Sequence, residues 1–312
     1  MSRQNPSSDL ATLVAEELRA PAPRPAIAMA QELATSFATT AAVLFYGSVL
    51  RTGDLDGVLD FYVLTRRPRA GLRGLAGRLL WPDVSYREMQ VEGRTVRAKV
   101  AAMTLEQFTT AVRGRGIDTT VWTRFVQPAV LVWSDSPRVT AQLEAAVADA
   151  VVTAARFATA LGPARGSAES FWSVLFRQTY AAEFRVEARG RESLILEADP
   201  GRYHRMLTAA WKASGTRFDL APDLEASPEL SPSERAKILR AWRLRQWLGK
   251  PLNFARLAKA AFTFEGAARY AAWKIERHTG VHVPLTPWRE RHVILAAPGV
   301  LWRLWRTRRR PA

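Results

Sequence analysis

The chain contains no cysteine, so it can form neither a disulfide nor a zinc–thiolate site. A reducing compartment is compatible with that lack but is not required by it. Histidine is scarce as well, with four in 312 residues. His204 stands alone on a helical pattern, whereas His278, His282 and His292 are irregularly spaced near one another. Without thiols, that spacing argues against a metal centre. Glu276-Arg277-His278 reads better as the last turn of a helix stopped by Gly280. No apolar run reaches the ~18–20 residues that cross a bilayer, and the longest, Val293–Trp302, is interrupted by Pro298. Met1–Ala22 lacks the apolar centre of a secretory leader. Acidic residues are also in deficit, 29 against 45 Lys and Arg, for a net charge of +16. A surface that basic attracts nucleic acid, anionic lipid or phosphorylated substrates. An Arg-rich, Ala-rich composition of the kind GC-rich genomes produce would give the same excess.

What is present is a globular composition, 48% apolar and 24% charged, with length enough for one large domain or two ordinary ones. There is no internal repeat and no low-complexity segment. The pattern predicts a loosely ordered N-terminus over 1–25, a helix over Ala26–Thr39 and strands over Ala41–Tyr46 and Leu59–Leu64. Arg69–Leu80 has helical spacing. Ser85–Val91 and Arg94–Ala101 read as a hairpin about Glu92-Gly93, Leu105–Val112 as a helix and Ala129–Trp133 as a strand. After Pro137 the strand signals stop. Thr140–Leu161, Ser167–Glu187, Tyr203–Ser214 and Ser233–Leu248 have helical periodicity, separated by an expected loop over Leu220–Pro232. Ser231 and Glu234 form a capping-box signal at the start of the last of these. The division expected is an α/β domain over 26–137, a mainly helical domain over 138–290 and a basic tail over 291–312.

The chemistry is concentrated at Tyr46-Gly47-Ser48, which follows a strand. Eleven residues lie between Ser48 and Asp60, which opens Asp60-Phe61-Tyr62-Val63 on the next strand. Glycine lets the backbone approach a phosphate, and the serine hydroxyl hydrogen-bonds its oxygens. A carboxylate on the adjacent strand holds Mg²⁺ against a triphosphate. This order resembles the signature of the nucleotidyltransferase superfamily, which places two carboxylates one residue apart. Here position 62 is Tyr. Asp54 and Asp56 in the intervening loop are candidates for the missing ligand, although acids beside Gly53 and Gly57 also suit solvated turns.

Several further segments, in the same order, resemble the mitochondrial-type phosphatidate cytidylyltransferases (the translocator assembly and maintenance family) and their bacterial relatives. That family reads Tyr-Gly-Ser, a loop, then a strand with one Asp. Val96-Arg97-Ala98-Lys99-Val100 resembles its basic strand, and Thr120–Pro128 resembles its segment with Gly-Arg-Leu and Lys-Pro. Gln178–Arg185 resembles its Ser-Tyr-x-x-Asp-Phe-Arg stretch. Thr123 and Gln127 depart from it, standing where the family has Gly and Lys. The similarity covers most of residues 40–190.

The resemblance implies a nucleotidyltransferase-like mixed sheet with helices, which with the mainly helical C-terminal region read from the pattern gives an α+β fold. It implies Asp60 and Lys99 as catalytic residues, with Asp60 on Mg²⁺. Tyr46, Gly47, Ser48 and Arg124 become contacts to the CTP phosphates, and Tyr180 and Arg185 line the pocket; Arg51, just beyond the turn, is a weaker phosphate candidate by position. A solvated strand lysine, a structural arginine pair and a core tyrosine would look the same in sequence. In the tail, Leu301, Trp302, Leu304 and Trp305 alternate with Arg303 and Arg306, as in an amphipathic helix at a lipid headgroup layer. The expected function is a Mg²⁺-dependent cytidylyltransferase making CDP-diacylglycerol and pyrophosphate from CTP and phosphatidate. Its expected place is cytoplasmic, peripheral on the inner face of the cell membrane. Two alternatives stay open: nucleotidyl transfer to RNA or a small molecule, and a non-catalytic lipid-surface protein that keeps the fold.

Overall fold

In the computed structural model, residues 6–69, 77, 79–183, 191–291, 296 and 299 are described. The chain opens with α1 (Pro6–Leu18) and α2 (Arg24–Ser36), then β1 (Thr40–Tyr46), the short α3 (Ser48–Thr52) and β2 (Leu59–Thr65). A hairpin of β3 (Asp83–Val91) and β4 (Arg94–Thr104) follows, then α4 (Leu105–Val112), α5 (Thr120–Phe125) and β5 (Ala129–Ser134). The helical part comprises α6 (Pro137–Leu161), α7 (Ala168–Ala182), α8 (Arg191–Glu197) and α9 (Pro200–Ser214). A small ribbon of β6 (Phe218–Leu220) and β7 (Ala226–Pro228) leads to α10 (Pro232–Thr263), α11 (Ala267–Thr279) and α12 (Pro287–Arg291). The class is α+β: a mixed sheet with helices, then a helical C-terminal region.

The large sheet has the order β3-β4-β2-β1-β5. β1 is antiparallel to both β2 and β5, whereas β2 and β4 are parallel. Every residue of β1 is buried, which explains its unbroken apolar sequence: the strand is covered on both faces. Alternate side chains point to opposite faces. Val43, Phe45, Phe61, Val63 and Val100 pack against Met29, Ala30 and Leu33 of α2. Leu44, Tyr46, Tyr62 and Met103 face Phe108, Val121, Phe125 and Val147 on α4, α5 and α6. The second cluster continues without a gap through Phe171, Trp211 and Trp242, so the helical region shares its core with one face of the sheet.

Three expectations need correction. The N-terminus is not loosely ordered throughout: Leu10, Val14 and Leu18 of α1 are buried in the core, and Glu17 forms a buried ion pair with Arg202 of α9. That partner lies far along the chain, beyond the reach of local patterning. The expected loop at Leu220–Pro232 contains β7, which pairs with β6 in register Phe218↔Pro228 and Leu220↔Ala226. Finally, α10 does not stop at Leu248 but runs through Gly249-Lys250-Pro251 to Thr263. Tertiary ties hold its second half: Arg256 pairs with buried Asp118, and Lys259 reaches Asp83 at 2.6 Å. The helical reading of Arg69–Leu80 falls largely outside the described residues.

Local signals elsewhere match the elements. Glu92 and Gly93 take φ of 50° and 76°, the turn a two-residue hairpin requires. Thr104 and Gln107 form a capping box on α4, as do Ser231 and Glu234 on α10. Gly280, at φ 69°, ends α11 as expected.

Candidate active site

Sheet register assembles the site. Ala129, Tyr46, Asp60, Lys99 and Tyr86 are successive cross-strand neighbours on β5, β1, β2, β4 and β3. Directly paired residues present their side chains to the same face, so the acid is flanked by Tyr46 on one side and Lys99 on the other. The chain then bends at Gly47, whose φ of 100° and ψ of −162° fall in a region open essentially to glycine alone. A Cβ on Gly47 would lie 2.6 Å from Asp60 Oδ2. The carboxylate of Asp60 therefore rests against the backbone of the glycine–serine bend, partly open to solvent. Ser48 is exposed at the start of α3.

Next to this row lies a cavity of about 290 Å³, lined among others by Tyr46, Tyr62, Lys99, Arg124, Glu183 and Arg256. Its floor is aromatic. Tyr62 sits 5.4 Å from Tyr46 and 5.2 Å from Phe125, ring to ring. This explains the departure at position 62: a second carboxylate there would be buried among rings. Arg124 on α5 donates to the Tyr46 hydroxyl at 3.1 Å and lies 5.1 Å over its ring. Burial works against its charge, but Tyr46, Tyr62, Asp60 and Glu183 together hold its pKa above the ordinary arginine value. Burial also raises the Tyr46 phenol, opposed by Arg124 and reinforced by Asp60, so it stays neutral. Glu183, at the end of α7, is buried and accepts a hydrogen bond from the Thr119 hydroxyl at 2.7 Å.

Helix α11 brings a second group to the acid. Tyr270 stands 5.4 Å from Tyr86, and its phenol is raised by burial and then by Asp60. The guanidinium groups of Arg97 and Arg277 both lie over the ring of Trp273, 5.6 and 5.3 Å from its centroid. Arg277 also donates to the Asp56 carbonyl at 2.7 Å, tying α11 to the loop that joins the bend to β2.

The other expected residues lie apart from the cavity wall or outside the described structure. Arg51 donates to Gln127 at 3.1 Å, and Arg51 and Tyr180 both act electrostatically on buried Tyr203. Gln127 thus serves a pairing that a lysine there would not accept. Thr123 is buried, its hydroxyl donating to the Thr119 carbonyl at 2.7 Å. Asp54 and Asp56 are exposed, and the Asp54 carboxylate accepts the Asp56 amide at 3.0 Å in a local turn. Arg185 and the tail residues Trp302, Arg303, Trp305 and Arg306 lie outside the described residues. Sequence reasoning missed Glu183, Arg256 and Tyr270. Glu183 sits within the Gln178–Arg185 stretch already singled out, whereas nothing local marked Arg256 or Tyr270.

Among the described residues no group of three or more His, Cys, Asp or Glu gathers as a metal cage. Magnesium does not need one. It keeps several waters and is commonly held by one or two carboxylates together with substrate phosphates. Asp60, a single carboxylate against the Gly47 bend with Lys99 as its cross-strand neighbour, has the donor chemistry of such a ligand.

No protein-family model matches the chain, and no curated protein matches it. Among solved structures, a nucleotidyltransferase-like protein from Exiguobacterium sibiricum 255-15 is similar over 91% of this chain and 91% of that one, at 11% identity. The TM-score is 0.28, too low for the likeness to bear on the site.

Proposed function

We propose that the chain is a Mg²⁺-dependent nucleotidyltransferase, and that it moves a cytidylyl group from CTP to the phosphate of phosphatidate. The observation that supports this most is the contact between Asp60 and Gly47: the acid lies at the glycine–serine bend, in one row with Lys99. In this reading the triphosphate rests on Gly47 and Ser48, and Asp60 holds the ion. When bound, Mg²⁺ supplies charge neutralisation at the triphosphate oxygens.

The reaction forms a bond between an acceptor phosphate oxygen and the α-phosphorus of CTP. It breaks the bond from that phosphorus to the bridging oxygen, and pyrophosphate leaves. The acceptor oxygen is already anionic, so no strong general base is required. Lys99 and Arg124 place fixed positive charge where the phosphoryl oxygens gain negative charge. Tyr46 acts as a positioning residue, fixing the guanidinium of Arg124 through its hydroxyl and ring. The choice of CTP and phosphatidate rests on the family resemblance over residues 40–190; the net charge of +16 favours an anionic acceptor but selects no base.

The test is pyrophosphate release by the full chain with CTP, Mg²⁺ and phosphatidate-containing vesicles. Asp60→Asn should abolish it, and equal turnover by the two proteins would refute the assignment. A second reading is favoured by buried Tyr62, which leaves one carboxylate where the superfamily places two. The protein would then keep the fold and a lipid-surface role without catalysis. A titration with no Mg²⁺-dependent affinity for any nucleoside triphosphate would select that reading.

A further inference from the structure

Helix α10 buries Ile238, Trp242, Arg245 and Gly249 on its inner side. Its outer side carries Leu244, Trp247, Phe254, Leu257 and Phe262, which are 51%, 81%, 67%, 58% and 80% exposed. At 3.6 residues per turn these five positions fall within an arc of about 140°, and they run along roughly 27 Å of helix. Water-facing helix surfaces are normally polar. An apolar stripe with three large aromatic rings in solvent marks an interaction surface.

We propose that this face of α10 docks on an anionic lipid bilayer, lying in the plane of the headgroups. Charge complementarity selects that occupant. Lys237, Arg240, Arg243 and Lys250 are exposed along the same side, and Glu234, in the first turn, is the only acid in the helix. Apolar side chains entering the acyl boundary while long cationic side chains interspersed among them reach lipid phosphates would hold the helix at the interface. A second copy packed on the stripe would set these cations against their own equivalents. The arginine-rich end of this chain would bring the same sign of charge. The helix lies on the bilayer rather than through it, since no helix among the described residues is long and apolar enough to cross one.

The stripe also continues into the site. Leu257 is both exposed on the outer face and part of the wall of the 290 Å³ cavity, next to Arg256. Docking along α10 brings the cavity to the headgroup layer, where the phosphate of an acceptor lipid lies. That delivery rests on the proposed nucleotidyl transfer, whereas the docking itself does not.

The experiment is co-sedimentation of the full chain with phosphatidylcholine vesicles, with and without phosphatidylglycerol. Two variants are compared with the wild type: Trp247→Ser/Phe254→Ser/Phe262→Ser, and Trp302→Ser/Trp305→Ser. Wild type should bind the anionic vesicles, more weakly as salt rises, and the α10 variant should lose about tenfold or more of that binding. Circular dichroism and Mg²⁺-dependent CTP thermal shift should be unchanged in the α10 variant, because its three positions lie outside the cavity wall. Wild-type binding by the α10 variant would overturn the docking, as would a loss confined to the tail variant. So would a wild-type dimer in sedimentation velocity that the α10 variant converts to monomer. Loss of the CTP shift in wild type would refute nucleotide binding alone, so the two ideas fail separately.

Discussion

Replacing Gly47 by alanine tests the geometry on which the site depends, because one methyl group strains the bend and displaces the acid together. The new Cβ would lie 2.6 Å from Asp60 Oδ2, where ordinary contact begins at 3.4 Å, so the carboxylate must retreat by about 0.8 Å. A displacement of about 1 Å at a positioned group costs on the order of 100-fold in rate. The backbone contributes separately. At φ 100° and ψ −162° an L-residue is strained by about 1–3 kcal/mol, which lowers the melting temperature by a few degrees in a chain of this size. Gly53→Ala is the control: its φ is 71°, yet a Cβ there meets nothing within 4 Å. The expected result is a stability loss in both variants, with roughly 100-fold slower pyrophosphate release only in Gly47→Ala. Thermal melts and steady-state pyrophosphate assays at saturating Mg²⁺ read the two effects separately. Wild-type kcat/KM in Gly47→Ala, or equal damage in Gly53→Ala, would refute the reasoning.

Arg124→Lys keeps the charge but loses the planar group that bonds and covers Tyr46; it should weaken Mg²⁺–CTP binding by about tenfold or more, measured by calorimetry. Asp118→Ala leaves the buried guanidinium of Arg256 without its carboxylate and should cost about 3–5 kcal/mol in urea unfolding. Gly249→Ala drives a Cβ to 2.7 Å from the Ala182 carbonyl oxygen, so α10 must shift off α7. Overpacking of about 1–3 kcal/mol outweighs the better helix propensity of alanine, and the urea midpoint should fall. Burial raises the phenols of Tyr46, Tyr86 and Tyr270, and pushes Tyr203 up to about 12 from 10.0. Above pH 10 the unfolded chain loses these protons first, so stability is full below that pH and declines as pH rises towards 12. Phenolate absorbance for these residues should appear together with loss of helical dichroism; an earlier, separate rise would contradict their burial.

Elements whose cause is local were legible in the chain. The apolar runs of β1 and β2, the Glu92-Gly93 turn, the two capping boxes and the Gly280 stop each arise from residues within a few positions of one another. The glycine–serine bend and Asp60 belong with them, being one turn and the strand that follows. Elements that depend on distant partners were not legible. Residues 1–25 have little local pattern, yet α1 is fixed by core contacts and by Arg202, 185 residues away. The helical pattern read in the sequence ends at Leu248, but α10 continues through Pro251 to Thr263, its second half tied by Arg256 and Lys259 to partners 138 and 176 residues back along the chain.

By itself the sequence determined the five strands of the large sheet, the turn that bends at Gly47 and the single carboxylate that follows it. These depend on short apolar runs and backbone sterics, which act over a few residues. Only the tertiary structure decided that parallel pairing of β2 with β4 sets Lys99 beside Asp60. It also decided that Arg124, Glu183 and Arg256 meet around one cavity, and that the aromatic face of α10 is left in water. Such placements follow from sheet order and the burial of a shared core, which no short stretch of chain encodes.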